Sequence, residues 1–147
     1  MFGEKSVSAV VLAGGGASRM GLSTNKLYIK TGGDTVIQYP LAVFASNTFV
    51  DEIVIAARPQ DMELIRRVIT KMDIRKPLRI VEGGITRTDS VYNAVKDSRS
   101  DIVLIHDGAR PLIRDEHISL CLQAMEKHPG AIIAAEAEEE VAYVTET

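Results

Sequence analysis

Cysteine is almost absent from the sequence, and several features that mark specialised protein classes are missing as well. The single Cys121 cannot form an internal disulfide, which agrees with a reducing compartment and predicts a cytoplasmic protein. No apolar run approaches the roughly 20 residues that cross a bilayer, so no membrane association is expected. The formal net charge of -3 argues against nucleic-acid binding, which needs a positive surface. What remains is an ordinary globular composition.

Apolar runs alternate with helix-like segments along the chain. Continuous Val, Ile and Leu runs predict five buried strands, and periodic apolar residues predict four helices between them. The strands are expected at 7–12, 52–57, 78–81, 101–106 and 131–135, and the helices at about 35–47, 60–72, 86–97 and 115–128. This alternation predicts an α/β fold: a doubly wound, mostly parallel sheet with helices on both faces.

Three loops follow predicted strands at their carboxyl ends, where open parallel sheets bind ligands. They cover residues 13–26, 82–90 and 106–111. Because these strand ends lie along one edge of the sheet, we expect the three loops to meet in one crevice.

The first loop belongs to the stretch VVLAGGGASRMGLSTNK, residues 10–26. Glycines after a strand let backbone N–H groups approach phosphate. No Gly-Lys pair occurs in the chain, which excludes a Walker-type loop, and Arg19 occupies the third glycine position of a dinucleotide fingerprint. The remaining interpretation is a loop that binds a triphosphate, in which Arg19 and Lys26 stabilise the negative charge that develops at phosphorus. The alternative is a tight turn with two solvated cations. The stretch resembles the signature of nucleotidyltransferases with a glycosyltransferase-A-like fold.

The second loop, VEGGITRTDSVYNAV (81–95), joins a glycine pair to the start of a predicted helix. Gly83 and Gly84 allow a planar ligand to approach, and short polar side chains such as Ser90 can bond to a base. Capping of the helix by Thr86 or Thr88 is the simpler interpretation, and the two are compatible. Loops of this form resemble those of cytidylyltransferases that make CDP-alditols.

The third loop ends the stretch IVLIHDGARP, residues 102–111. A lone carboxylate at the end of a buried strand is costly unless it meets a cation, and Mg²⁺ prefers one or two carboxylates beside phosphate oxygens, so Asp107 is a candidate magnesium ligand. Arg110 could hold a phosphate through its guanidinium group. The alternative is a structural Asp–Arg pair that closes a turn. The three histidines lack metal-ligand spacing, which makes a zinc site improbable.

Together the three motifs resemble the 2-C-methyl-D-erythritol 4-phosphate cytidylyltransferases of isoprenoid synthesis, from Val7 to about Ala135. That family has a Rossmann-like nucleotidyltransferase fold. The ribitol-5-phosphate cytidylyltransferases share much of the pattern but more often place a bulkier residue inside the third motif, so the Gly108-Ala109 pair favours the isoprenoid enzymes. The resemblance implies CMP transfer from CTP to methylerythritol phosphate with release of pyrophosphate. Ribitol-5-phosphate as the acceptor, and a CTP-binding domain without catalysis, stay open as alternatives.

The resemblance also implies a role for each site residue. The catalytic cations at the α-phosphate are Arg19 and Lys26; the CTP-binding residues are Ala13, Gly14, Gly15, Gly84 and Ser90; Asp107 holds Mg²⁺, and Arg110 lies on the side of the acceptor phosphate. The partners expected from the family are CTP and an alditol phosphate, with a homodimer in the full-length form.

Two positions depart from the family pattern. Ile85 stands where many members have an acidic residue near the base, and Glu140 stands near the position of a threonine that touches the acceptor. A carboxylate there would repel the acceptor phosphate. Family members continue for many tens of residues beyond this region, so we expect a truncated chain. Residues 1–135 are assigned to the nucleotidyltransferase domain and residues 136–147 to the start of an arm or extra strand.

Overall fold

Four parallel strands form the central sheet of the protein. The computed structural model describes residues 1–14 and 25–135 and divides the chain into two units, Met1–Asp115 and Glu116–Thr147. The strands are β1 (Val7–Ala13), β2 (Lys30–Thr31), β3 (Asp34–Thr35), β4 (Glu52–Ala57), β5 (Leu78–Glu82) and β6 (Ile102–Asp107). The helices are α1 (Gln38–Ser46), α2 (Met62–Thr70), α3 (Arg87–Asp97) and α4 (Asp115–Met125), of which α4 crosses into the second unit.

The order of strands in the sheet is β5-β4-β1-β6, and β2 pairs with β3 in a separate antiparallel hairpin. The chain builds outward from β1 through β4 to β5 and then returns to the other side of β1 with β6. The direction of winding therefore reverses between β1 and β6, the point at which doubly wound sheets bind ligands. Leu12 lies opposite Asp107 across this junction, and Ala13 lies opposite Ala57 on the other side of β1.

Both faces of the sheet are covered, because every residue of β1 and β4 is buried. On one face Val10 and Leu12 pack in a cluster with Val54, Ala56 and Ala94 of α3. On the opposite face, the ring of Phe44 from α1 meets His106 edge-on, with ring centroids 5.5 Å apart. Burial on both faces explains why the central strands are continuous apolar runs. The predicted α/β fold with a parallel sheet is confirmed.

The ends of the predicted elements differ from the structure where local pairing intervenes. Helix α1 starts at Gln38 rather than near 35, because Thr35 belongs to β3 and donates its N–H to the Gln38 side chain at 2.8 Å. The predicted strand at 131–135 is wrong, since these residues form no strand and are exposed. An apolar run becomes a strand only when a neighbouring strand supplies the ladder hydrogen bonds. Within the described residues, no helix has the length and apolar character to span a bilayer.

Candidate functional site

At the carboxyl end of β1, the backbone of a glycine lies next to a buried serine. Ala13 is fully buried, and Gly14 follows it at the switch point of the sheet. A Cβ atom built on Gly14 would lie 3.8 Å from Ser90 Oγ, so the first and second predicted loops lie against each other. Ala13, Gly14 and Ser90 are therefore brought together as predicted. The predicted residues Gly15 and Arg19, and the departure at Glu140, lie outside the described residues.

Ser90 organises the loop between β5 and α3. Its side chain is buried, and its hydroxyl oxygen accepts a hydrogen bond from the Gly84 N–H at 3.0 Å while its proton is donated to the Thr86 carbonyl at 3.0 Å. A side chain at Gly84 is impossible in this conformation, because its Cβ would lie 2.1 Å from Asp89 Cβ. The loop is thus held in one shape that places the Gly84 backbone on the side of the sheet edge where CTP is expected.

Helix α3 begins with a capping box. The Thr86 hydroxyl accepts from the Asp89 N–H at 3.1 Å, and the Asp89 carboxylate accepts from the Thr86 N–H at 3.0 Å. Hydrogen bonds from the Thr86 side chain and N–H hold the pKa of Asp89 below its ordinary value. The capping interpretation is therefore confirmed for Thr86. Ile85, at the tip of this loop, is fully exposed and offers no polar group to a base.

Asp107 lies between two arginines at the end of β6. Its Oδ1 accepts from Arg87 Nη2 at 3.0 Å and from Arg87 Nε at 3.2 Å, and its Oδ2 is 3.2 Å from Arg110 Nε. The side chains of Arg87 and Arg110 are 65% and 76% exposed, so their remaining N–H groups can reach a ligand, whereas Asp107 is only 30% exposed. The result is a two-cation cluster around one carboxylate, which we call the Asp107 cluster.

Arg87 was not predicted as a site residue. It lies within the GGITRTDS loop, and the expectation that this loop and the third loop meet was the signal that could have identified it. The contact itself spans twenty residues of sequence, from α3 to β6. Two parallel βα loops therefore supply opposite sides of the Asp107 cluster.

The turn after β6 keeps Arg110 next to Asp107. The Arg110 N–H donates to the Asp107 carbonyl at 3.0 Å, and His106 Nε2 donates to the Arg110 carbonyl at 3.0 Å. Burial lowers the pKa of His106 despite that hydrogen bond, so the ring is neutral at pH 7. Gly108 is required here, because its Cβ would lie 3.0 Å from the Leu12 carbonyl oxygen. The Asp–Arg pair closes a turn, as the simpler interpretation held, and it also presents a guanidinium group.

Lys26 begins a single 3₁₀ turn, Lys26–Tyr28, and is half-buried. Asn25 caps this turn, since its side-chain oxygen accepts from the Leu27 N–H at 3.2 Å. Within residues 1–14 and 25–135, the Lys26 ammonium group makes no hydrogen bond or ion pair, including none with Asp107 or Ser90. It is therefore available to an anionic ligand.

Asp107 is the one residue that the sequence analysis predicts to bind a metal ion. The described part of the chain contains no group of three His, Cys, Asp or Glu side chains that could hold an ion. Asp107 Oδ1 accepts both hydrogen bonds from Arg87, whereas Oδ2 faces Arg110 Nε alone among the described residues and keeps a lone pair for an ion. This donor set fits an ion such as Mg²⁺ that takes one protein carboxylate and fills its shell with phosphate oxygens and water.

A cleft of about 380 Å³ beside β5 contains none of these residues. Of its charged lining groups, Arg79 is already bonded to Glu52 at 3.0 Å and to Asp97 at 2.6 Å, which leaves the single cation Arg66. Aliphatic side chains, including Ile69 and Ile80, form much of the rest. The cleft therefore lacks the several free converging groups that a reactive site needs, and the strand ends around Asp107 are the better candidate site.

Comparison with known proteins gives one consistent family. Residues 7–146 match the sequence pattern of the 2-C-methyl-D-erythritol 4-phosphate cytidylyltransferases. The chain is 42% identical over 123 residues to the protein of that name from Clostridium tetani, covering 82% of this chain and 49% of the relative. It is 33% identical over 139 residues to the Haemophilus influenzae bifunctional ribulose 5-phosphate reductase/CDP-ribitol pyrophosphorylase Bcs1, covering 92% of this chain and 29% of the relative.

A solved structure agrees with the sequence relatives. The 4-diphosphocytidyl-2C-methyl-D-erythritol synthase of Anaerococcus prevotii has a TM-score of 0.70 and 30% identity, covering 84% of this chain and 52% of that one. The chain spans about half the length of the Clostridium and Anaerococcus proteins.

Proposed function

The chain belongs to the 2-C-methyl-D-erythritol 4-phosphate cytidylyltransferase family, and from that premise we propose that the protein transfers CMP from CTP to 2-C-methyl-D-erythritol 4-phosphate. A phosphate oxygen of the acceptor attacks the α-phosphorus of CTP in line with the leaving group. The new P–O bond forms as the bond from that phosphorus to the β-phosphate oxygen breaks. The products are the CDP-alditol and pyrophosphate.

The observation that carries this proposal is the Asp107 cluster at the switch point of the sheet. Arg87 and Arg110 reach the same carboxylate from two loops, and Gly14 and Ser90 lie at the neighbouring strand end. Phosphoryl chemistry depends on positioning and on charge stabilisation, which converging cations beside bare backbone supply. In a chain with a net charge of -3, such a local concentration of cations is what a triphosphate requires.

Each group has a separate task in the proposed reaction. Gly14 and Gly84 offer backbone to the nucleotide, and Ser90 keeps Gly84 in place. Lys26, together with Arg19, stabilises the negative charge that builds up on the α-phosphate. The Arg110 guanidinium group binds the acceptor phosphate with the N–H groups that Asp107 leaves unused.

Asp107 would hold Mg²⁺ in the complete complex. When bound, the ion would neutralise charge on the oxygens of the triphosphate. The protein's own contribution is to aim the carboxylate: Arg87 and Arg110 each hold one of its oxygens. Because both guanidinium groups are largely exposed, either can turn toward a phosphate while Asp107 accepts an ion.

Pyrophosphate release tests the proposal directly. The protein is incubated with CTP and Mg²⁺ and with methylerythritol phosphate, ribitol-5-phosphate or no acceptor, and the Clostridium tetani relative serves as the reference. We expect release that depends on methylerythritol phosphate and exceeds release with ribitol-5-phosphate. Release with ribitol-5-phosphate alone would assign the second acceptor. CTP binding without release under any condition would identify a nucleotide-binding domain without catalysis.

Ribitol-5-phosphate is kept as the second acceptor on one specific observation. A relative named as a CDP-ribitol pyrophosphorylase matches 92% of this chain at 33% identity. The small pair Gly108-Ala109 favours methylerythritol phosphate, and the tight approach of Gly108 to the Leu12 carbonyl explains why a small residue is needed at the first position of that pair.

The cellular setting is also a proposal. We place the protein in the cytoplasm, where its substrate CTP is made, and we propose a homodimer as the assembly of the full-length form. Sedimentation of the protein at several concentrations, with and without CTP, measures the second point. A sedimentation coefficient that remains that of a monomer at all concentrations would contradict it.

A further inference from the structure

A buried carboxylate lies behind the 3₁₀ turn that carries Lys26. Asp61, 8% exposed, accepts a hydrogen bond on Oδ2 from Asn25 Nδ2 at 3.0 Å. The same oxygen accepts from Arg58 Nε at 2.6 Å. Asn25 is buried too, and its other amide atom, Oδ1, accepts from the Leu27 N–H at 3.2 Å. An unbroken series of hydrogen bonds thus runs from Arg58 to the backbone that follows Lys26.

The chemistry of the carboxylate decides how Asn25 is oriented. An ionised carboxylate can only accept hydrogen bonds, so the amide group of Asn25 must turn its Nδ2 toward Asp61. That leaves Oδ1 for the Leu27 N–H, which is the arrangement a cap needs. Asp61 therefore selects the capping orientation of Asn25 without touching the turn itself.

The turn needs outside support because a single 3₁₀ turn has few hydrogen bonds of its own. Inside it, the Tyr28 N–H donates to the Asn25 carbonyl at 3.0 Å. Leu27 is buried, and its carbonyl accepts from the Ile37 N–H at 3.1 Å. Lys26 lies between these anchored residues. Its backbone direction, and hence the reach of its ammonium group, follows from how Asn25 and Leu27 are held.

The series of hydrogen bonds also begins at the ligand-binding edge of the sheet. Arg58 directly follows β4, whose last residue, Ala57, is opposite Ala13 at the end of β1. The phenol of Tyr28 is buried nearby, and burial, followed by the charge of Asp61, raises its pKa, so it stays neutral. Because the phenol carries no charge, the positive charge of Arg58 is the one that compensates the negative charge of Asp61.

We propose that Asp61 and Asn25 are positioning residues for Lys26, holding the turn in the orientation that directs the ammonium group at the nucleotide. This inference rests on the proposed function, because it assigns a purpose to the reach of Lys26. It gives a role to two residues that had none in the analysis of the sequence motifs. Neither touches substrate, and both act through the backbone on either side of Lys26.

An exchange of the two side chains tests the proposal. Asn25→Asp places two carboxylates at hydrogen-bond distance, which pushes them apart and releases the cap. Asp61→Asn in the same chain restores the bond in the opposite sense, because the new amide donates to the new carboxylate, and Asp is itself a strong capping residue. Since Asp61 Oδ2 also accepts from Arg58 Nε, the exchanged protein carries Arg58→Met as well, so that no N–H donor faces the new amide nitrogen. We expect Asn25→Asp to lower kcat about tenfold or more, with a smaller change in KM for CTP, and the exchange to recover kcat to within about threefold.

A Lys26→Ala background separates positioning from general damage. If Asp61 and Asn25 act through Lys26, Asn25→Asp lowers kcat only when Lys26 is present. An equal loss in both backgrounds, or no recovery in the exchanged protein, overturns the proposal. Asp73→Asn, which removes an exposed carboxylate whose one partner among the described residues is Arg75, is the matched control and leaves kcat unchanged. Asn25→Ala takes the place of Asn25→Asp if the latter does not fold, and it is expected to lower kcat in the same Lys26-dependent way.

Hydrogen exchange of the Leu27 amide distinguishes this proposal from the proposed function. We expect the Leu27 amide hydrogen to exchange faster in Asn25→Asp than in the unmodified protein. In the protein with the exchanged side chains, the rate should return to its original value, whichever substrate is present. An unchanged hydrogen-exchange rate at Leu27 in Asn25→Asp would show that the hydrogen-bond network does not hold the turn, even if the enzyme is active. Faster exchange in a protein that releases no pyrophosphate with either acceptor shows that the network holds the turn and that the proposed function is the part that failed.

Discussion

Replacing Gly14 with alanine separates nucleotide binding from folding. Among residues 1–14 and 25–135, a Cβ at this position meets nothing closer than Ser90 Oγ at 3.8 Å, which is an ordinary contact. Gly14 is also outside the left-handed region, since the described glycines with positive φ are Gly3, Gly32 and Gly33. Alanine therefore fits without strain and restricts the unfolded chain, so the free energy of unfolding should rise by about 0.4–1 kcal/mol.

The same methyl group stabilises the fold but should weaken the binding of CTP. In the proposed complex the backbone of Gly14 approaches the nucleotide, and the methyl group occupies the space that the phosphates need. Overpacking of a fitted contact costs about 1–3 kcal/mol. At about 1.4 kcal/mol per factor of ten, the dissociation constant for CTP should rise by roughly 5- to 150-fold.

Titration calorimetry with CTP and urea denaturation measure the two quantities on the same protein. Gly130→Ala is the matched control, because a Cβ at Gly130 meets nothing within 4 Å in the part of the chain that the structure describes, and the residue is far along the chain from the predicted loops. Unchanged CTP affinity in Gly14→Ala would remove Gly14 from the nucleotide site. A clear loss of stability would instead refute the steric argument made from the free protein.

Three further predictions concern charged residues. Lys26→Ala should lower kcat by about two or more orders of magnitude while the thermal midpoint is kept, and unchanged turnover in the pyrophosphate assay would exclude its catalytic role. Arg87→Gln should leave Asp107 with one cation and raise the Mg²⁺ concentration needed for half-maximal turnover; an unaltered requirement would show that Arg87 does not orient Asp107. Glu52→Gln should reduce stability by about 2–3 kcal/mol at pH 7. Although burial raises the pKa of Glu52, bonds from the Arg99 N–H and the Arg79 guanidinium group outweigh it and the pKa is lowered, so this contribution is present above pH about 4.3 and is lost as the pH falls further. Urea denaturation from pH 3 to 7 should therefore show a shallower pH dependence for Glu52→Gln, and equal slopes would contradict the assignment.

The strands were predictable because strands buried on both faces consist almost entirely of apolar residues. The predicted strand 52–57 matches β4 (Glu52–Ala57), and the strand at 7–12 is one residue shorter than β1 (Val7–Ala13). Strands that are covered on both faces need apolar side chains at every position, which makes them visible without knowledge of their neighbours. The run at 131–135 has the same composition and forms no strand, because backbone pairing with a neighbour is not encoded in the run itself.

Contacts among the candidate site residues were predictable where the partners are close in sequence. Asp107 and Arg110 are three residues apart in a turn, and Gly84 and Ser90 share one loop, so local motifs were enough to find them. Arg87 is different, because its bond to Asp107 depends on two crossover connections that bring α3 and β6 to the same edge of the sheet.

The sequence by itself determined the class of fold, the loops that form the candidate site and the family to which the chain belongs. These follow from apolar periodicity and from short motifs, which are properties of neighbouring residues. Only the tertiary structure decided that Arg87 meets Asp107 and that Asp61 bonds to Asn25, a pair 36 residues apart. Such pairings depend on directional hydrogen bonds between strand ends brought together by the order of strands in the sheet, and no single stretch of sequence contains that order.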